Sequence, residues 1–249
     1  MKQLLFLIIL LGLTGLLIPE PAQAQGVPGI SMNFEQTDNP EKVVSTLQIV
    51  GLLTLMALAP MLVLMMTSFT RLIIVFHFLR QAMGAAQVPP AQLVVGLAMI
   101  LTFYIMSPTL NQINTTALQP YLEGNLDQKT ALAEAVKPMK NFMLAQVREK
   151  DLALFVNMSG TERPNDETEI GLAVLVPAYV ISELRIAFQI GFVLYLPFLI
   201  IDMVVSSVLL AMGMMMLPPV MVSLPFKVLL FVMVDGWYLI VESMVKSFH

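Results

Sequence analysis

Four apolar runs, each about as long as a bilayer is thick, set the limits on this fold. They are Leu47–Met66, Ala91–Leu110, Ile186–Leu210 and Val220–Val241. A helix needs about 20 apolar residues to cross roughly 30 Å of hydrocarbon. The runs predict an all-α, polytopic helical membrane protein with about four long hydrophobic helices in kinked hairpins. Composition agrees. Charged residues make up 12% of the chain, against roughly 25% in soluble domains, and mean hydropathy is +0.82.

The first run does not stop cleanly. After Ser68, Thr70 and Arg71 the apolar character resumes over Leu72–Leu79. One helix from Leu47 to Leu79 would be about 50 Å long against about 30 Å of hydrocarbon, so it must break, tilt or project out of the bilayer. Pro60 is expected to kink the run. Arg71 and Arg80 fall on opposite helix faces and read as separate interface anchors. Gly84 and Pro89-Pro90 end this element; the prolines open the second span and Pro108 marks its far end. Asn111–Glu169 differs in kind, with nine acidic and six basic residues. Leu132, Val136, Met139, Met143 and Val147 recur at helical spacing. Pro138 is expected to separate two helices there, and Ser159–Thr168 reads as a polar loop. Ile170–Ser182 is too short to cross alone; it is an interfacial helix or the tilted start of the third span.

Residues 1–24 have the layout of a signal peptide. Lys2 is the n-region, Leu4–Ile18 the apolar stretch, and Ala22-Gln23-Ala24 the cleavage pattern. The single lysine leaves an uncleaved anchor as the alternative. Residues 25–42 then form an exposed N-terminal arm. Residues 43–110 form a first hydrophobic helix pair around a short basic loop, and 111–169 a small helical domain. Residues 170–249 form a second helix pair. The two arginines in Thr67–Pro90 put that loop in the cytoplasm and the acidic domain outside. A cleaved signal peptide gives the same orientation.

Between the last two runs lies Met212-Gly213-Met214-Met215-Met216-Leu217-Pro218-Pro219. Turns are normally polar, because their unpaired backbone groups want water. A methionine turn must bury itself in protein or line a passage. Methionine is unbranched and flexible, so several together can seal a hole and still deform around something passing through. Met212, Met214, Met215 and Met216 are therefore a candidate pore gasket. The competing reading is apolar filler against lipid or a neighbouring helix. A ring would require several copies of the chain.

Glu183, Arg185, Asp202, Lys227 and Asp235 interrupt apolar sequence, where each should face protein, an opposite charge or a water-filled cavity. Glu183 and Arg185 point to different sides of a helix and cannot simply pair. Lys227 and Asp235 are about 12 Å apart along a helix axis, so their partners come from other helices or other subunits. These charges are either a proton path or interhelical pairs that fix register and assembly. No enzyme signature is visible: no H-E-x-x-H, no Gly-rich phosphate loop and no nucleophile elbow. The absence of cysteine excludes thiolate metal sites and disulfides. The reading is a non-enzyme with no cofactor and no metal.

Two segments carry a resemblance. Pro177-Ala178-Tyr179-Val180-Ile181-Ser182-Glu183-Leu184-Arg185-Ile186-Ala187-Phe188-Gln189-Ile190-Gly191-Phe192 resembles one signature of the flagellar biosynthetic protein FliP family. Pro225-Phe226-Lys227, Val228–Val234 and Asp235-Gly236-Trp237 resemble the second. The resemblance implies a subunit of the flagellar type III export gate at the basal body, in the bacterial inner membrane with periplasmic portions. It implies a homo-oligomeric ring of about five copies, joined by two smaller sister membrane subunits of the FliQ and FliR families and by other export proteins. Unfolded flagellar substrates would pass through, with the methionine turn as gasket. It also implies that much of the ring stands on the periplasmic side of the membrane, so that 111–169 is a periplasmic domain. Glu183, Arg185, Asp202, Lys227 and Asp235 then become assembly or inter-subunit charges. Two other functions fit the residues: the equivalent subunit of a virulence-type injectisome, and a proton-coupled transporter of a small solute, which needs repeats and midplane acids.

Overall fold

A computed structural model describes residues 40–84, 89–160, 169–214 and 216–248. The signal peptide, nearly all of the N-terminal arm and Met215 lie outside the described residues. The fold falls into two units, Met1–Leu53 and Thr54–His249. In the first, residues 40–53 are helical and open α1 (Pro40–Met65). In the second, α1 ends and is followed by α2 (Phe69–Ala82), α3 (Ala91–Ile113), a π-helical turn (Asn114–Leu118) and α4 (Gln119–Leu122). Then come α5 (Gln128–Gln146), α6 (Glu149–Met158), α7 (Leu172–Ala211), α8 (Pro219–Met233) and α9 (Gly236–Lys246). The described residues are all-α. Three helical stretches are long and apolar enough to cross a membrane: Thr46–Met65, Ala91–Leu122 and Leu172–Ala211. The bent pair α8–α9 makes a fourth if it counts as one span.

The overlong first stretch breaks at Met66–Ser68, and the break has a definite anchor. The Thr67 side chain donates to Leu64 O at 2.8 Å, while the buried Tyr179 hydroxyl donates to Thr67 O at 2.9 Å. A carbonyl released at a helix end is thus satisfied from α7, as a buried carbonyl must be. What the sequence suggested as a short basic loop is mostly α2, the most deeply buried helix of the unit. Leu72, Val75, Phe76, Leu79 and Ala82 are almost wholly inaccessible and follow the spacing of one helix face. Val94, Ala98, Leu101 and Ile105 of α3 close over that face, with Ala187 of α7 and Met244 of α9.

Two prolines, Pro108 and Pro138, do not end or separate helices as expected. Pro108 lies inside α3 and Pro138 inside α5. The acidic segment breaks instead at Val147–Arg148, where both residues are extended. Pro177 and Pro197 lie inside α7. Interior proline costs about 3 kcal/mol in an isolated helix, but packing of the flanking turns offsets it. Hence Ile170–Ser182 is no separate interfacial helix: from Leu172 onward it is the start of α7, a 40-residue rod about 60 Å long. The acidic stretch shares a core with that rod, with Met143 of α5 packed beside Leu175 and Tyr179. Conversely, Val220–Val241 is not one helix. It bends by 63° between α8 and α9, where Asp235 takes the left-handed conformation (φ 51°, ψ 53°).

The α8–α9 arm runs antiparallel to α7. Asp202 faces Lys227, Phe198 faces Phe231 at 6.4 Å, and Leu194 and Ile240 pack on one cluster. The methionine turn joins α7 to α8 in this helical hairpin.

Candidate functional site: an exposed methionine turn above a charge clasp

The start of the turn bonds back to α7. The Gly213 N–H donates to Leu210 O and the Met214 N–H to Leu209 O, both at 3.0 Å. Gly213 sits at φ +75°. These two bonds with a left-handed residue between them form the Schellman closure of a helix, and glycine holds that conformation without a β-carbon penalty. Across the turn, Pro218 caps α8 and Pro219 is its first residue, where a missing N–H costs nothing. Met216 is 99% exposed and Met212 64%; Met214 is half-buried. Leu217, Val220 and Met221 extend the same exposed apolar surface.

Beneath the turn, three elements meet at Lys227. Its Nζ donates to Asp202 Oδ2 on α7 at 2.6 Å and to Ala82 O at the end of α2 at 3.0 Å. The second contact also places a cation at the negative end of a helix. Ser223, one turn earlier on α8, donates to Asp202 Oδ1 at 2.5 Å. Lys227 is 2% exposed and Asp202 26%, so the clasp is buried on the lysine side and open to solvent on the carboxylate side.

The second charged node lies at the other end of the arm, and sequence reasoning missed its centre. Arg71 is not an interface anchor. It is 1% exposed and pairs with Glu183, itself 0% exposed. Nε donates to Glu183 Oε2 at 2.8 Å and Nη2 to Oε1 at 2.5 Å. Nη2 also reaches Gln146 Oε1 at 3.1 Å. Nη1 donates to Ser247 O at 2.7 Å and to its hydroxyl at 3.0 Å. All five guanidinium N–H groups are thereby used. The Phe248 ring lies under the guanidinium at 3.8 Å, within cation–π range. One side chain thus ties α2, α5, α7 and the segment after α9. With Arg71 buried as one half of an ion pair, only Arg80 remains of the two arginines that argued for a cytoplasmic loop.

Of the charges singled out in the sequence, Glu183, Asp202 and Lys227 therefore find partners inside the chain. Arg185 and Asp235 are exposed on otherwise apolar elements. The structure does not bring these five together into one path. The signal for the pairs was present: two opposite charges had to meet because each sat alone in apolar sequence. Their separations, 112 residues for Arg71–Glu183 and 25 for Lys227–Asp202, put the pairing beyond local spacing rules. Among the described residues no group of three or more His, Cys, Asp or Glu is placed to hold a metal.

Comparison with known proteins joins this architecture to one family. The FliP family model matches residues 52–244, which include α7, the methionine turn and the α8–α9 bend. The chain is 51% identical to the flagellar biosynthetic protein FliP of Bacillus subtilis over 217 residues, covering 87% of this chain and 98% of that protein. The FliP of Cereibacter sphaeroides is 47% identical over 94% of this chain and 77% of its own. For the FliP of Pectobacterium carotovorum the identity is 44%, over 94% and 91%. A family match across most of the chain and relatives at this identity establish that the chain belongs to the FliP family, a membrane component of flagellar biosynthesis and export.

Proposed function

We propose that this chain is a pore-forming subunit of the flagellar type III export gate, that unfolded flagellar substrates cross the inner membrane through its ring, and that the methionine turn is the gasket. The observation that carries the reading is the turn itself. The helix before it is closed by a Schellman motif, and the Met212 and Met216 side chains are turned outward, Met216 almost completely. The competing reading is apolar filler against lipid or a neighbouring helix, and the ion-leak test below separates the two. An outward collar of flexible thioethers, repeated around a ring, suits a seal that must yield to a passing chain.

The ring is homo-oligomeric and joined by sister subunits of the FliQ and FliR families and by other export proteins. It lies in the inner membrane at the basal body, with periplasmic portions. Arg185 and Asp235, exposed charges on apolar elements, are its best candidates for inter-subunit pairing, since burying either alone against a neighbour would be costly. Glu183, Asp202 and Lys227 support assembly by fixing the shape of each protomer. A solute transporter fits less well, because Glu183 is paired with Arg71 and Asp202 with Lys227, and the two pairs form no shared substrate cradle.

Replacing Met214 and Met216 together by alanine tests the gasket. The expected result is membranes leaky to small ions while filament protein export continues. Unchanged ion tightness with unchanged export would refute it.

A further inference from the structure

Next to the Arg71 node, α7 and α9 leave an apolar groove between them, of about 440 Å³. Val193 and Leu194 of α7 and Leu239 and Ile240 of α9 line its walls, and Gln189 and Ser243 are its polar groups. Val193 is 65% exposed and Leu239 47%, so the groove opens outward. Two cations mark one end of it. Arg185 stands one turn before Gln189 on α7, and Lys246 one turn after Ser243 on α9, each on the groove side of its helix. They lie at one height, because Glu183 and Ser247, their near neighbours in sequence, are both bound by Arg71. Lys246 holds Glu242 at 2.6 Å, but as a surface pair with the lysine side chain 73% exposed, which contributes little. Arg185 is exposed, and its guanidinium makes no ion pair or hydrogen bond among the described residues. The height is that of a membrane interface. The apolar run Ile186–Leu210 begins directly after Arg185, and Val220–Val241 ends directly before Glu242. Cationic side chains at the ends of spans reach for headgroups, and the groove beneath them lies at acyl-chain depth.

We infer that this groove holds one anionic phospholipid: an acyl chain lies against Val193, Leu194, Leu239 and Ile240, and Arg185 and Lys246 bind the phosphate. Charge complementarity selects this occupant. Arg185 and Lys246 against Glu242 leave one net positive charge at the mouth. A guanidinium on an apolar helix needs an anion, and its planar fork matches phosphate oxygens. Gln189 and Ser243, just inside the mouth, offer donors to the ester carbonyls that join headgroup to chain. The rival partner for Arg185 is a carboxylate of a neighbouring subunit, and the test separates the two. The inference does not depend on the gasket.

The test uses the assembled complex in nanodiscs of phosphatidylcholine. Phosphatidylglycerol or phosphatidylcholine with a spin label on the acyl chain is added at equal mole fraction. The chain has no cysteine, so Ser243→Cys carries a single fluorophore on the groove wall, and the parent complex treated in the same way gives the background. The spin label quenches the fluorophore on contact, and phosphatidylglycerol is expected to quench at lower mole fraction than phosphatidylcholine. One cation near an anionic lipid contributes about fivefold. Arg185→Gln and Lys246→Gln should therefore each reduce the preference by about fivefold, and Arg185→Lys should keep most of it. Val193→Trp, which fills the groove from an exposed position, should reduce quenching by both lipids. Equal quenching by the two lipids, or a preference that Arg185→Gln leaves unchanged, overturns the inference. Protection of the fluorophore from both lipids also overturns it, because a neighbouring subunit would then fill the groove. Failure of Arg185→Gln to assemble does the same, since that is the outcome for an inter-subunit charge.

Discussion

Arg71→Met should be among the most damaging single changes in the molecule. It removes all five bonds made by the guanidinium and strands Glu183, which is 0% exposed, without a counter-charge. Removing one partner of a buried ion pair costs about 3–5 kcal/mol. For a chain of this size that corresponds to roughly 6–20 °C in Tm. Arg71→Met/Glu183→Met removes the stranded charge as well, and apolar replacement of a whole buried pair is often close to neutral. Full recovery is not expected, because Arg71 also serves Ser247 and Gln146. Ser247 keeps a bond from its hydroxyl to Met244 O at 2.8 Å, and Gln146 keeps one to Phe248 O at 3.1 Å. The Ser247 carbonyl, however, loses its donor, at about 1–3 kcal/mol. The double variant should therefore sit above the single, with about 2 kcal/mol of the loss restored. Arg71→Lys should behave like the methionine variant more than the parent. An ammonium offers three donors from one point and cannot reproduce the fork to Glu183 together with the bonds to Ser247 and Gln146. The assay is the thermal unfolding midpoint of the purified complex in detergent, with the cycle completed by Glu183→Met. A lysine variant indistinguishable from the parent, or a double variant less stable than Arg71→Met, would refute the five-bond account.

Gly191→Ala puts a β-carbon 2.5 Å from the Phe78 ring, and such overpacking should cost about 1–3 kcal/mol. Phe78→Leu should rescue it, and a thermal midpoint that the pair does not restore counts against close packing of α2 on α7. Tyr179→Phe removes the 2.9 Å bond to Thr67 O at the α1–α2 break and should cost about 1–3 kcal/mol. Hydrogen exchange should then rise first at Met66–Phe69, whereas a uniform rise would mean that the bond does not hold the break. Asp127 precedes α5, and the Thr130 hydroxyl holds its carboxyl below the usual value of 3.8. A lowered folded-state value contributes stability above the unfolded value and loses it as pH falls towards the folded one. Thr130→Val should accordingly flatten this acid-dependent loss at α5 below pH 3.8, read by helix-resolved hydrogen exchange, and an unchanged pH dependence would mean that solvent already screens the contact.

Apolar length was legible in this chain, and apolar length is what membranes select on. The span-length stretches, the helical nature of the acidic segment and the break of the first stretch all follow from counting residues against 1.5 Å of rise. The methionine turn was legible for the opposite reason: it violates the rule that turns are polar. What stayed hidden depended on neighbours. Pro108, Pro138, Pro177 and Pro197 sit inside helices because packing from adjacent helices outweighs a local penalty of about 3 kcal/mol each. The true bend, at Asp235, contains no proline and falls on a residue that ordinary helix propensity does not mark as a break. Helix α2 was hidden by its own arginines. Arg71 looked like an interface residue until Glu183, 112 residues away, supplied the carboxylate that lets it stay buried. A solitary charge in apolar sequence is thus a demand for an opposite one elsewhere in the fold. In this chain the two demands met within one protomer, Arg71 by Glu183 and Lys227 by Asp202, lie at opposite ends of the same arm. The arm is therefore clamped where α9 ends and clasped just below the turn, with the left-handed Asp235 between the two.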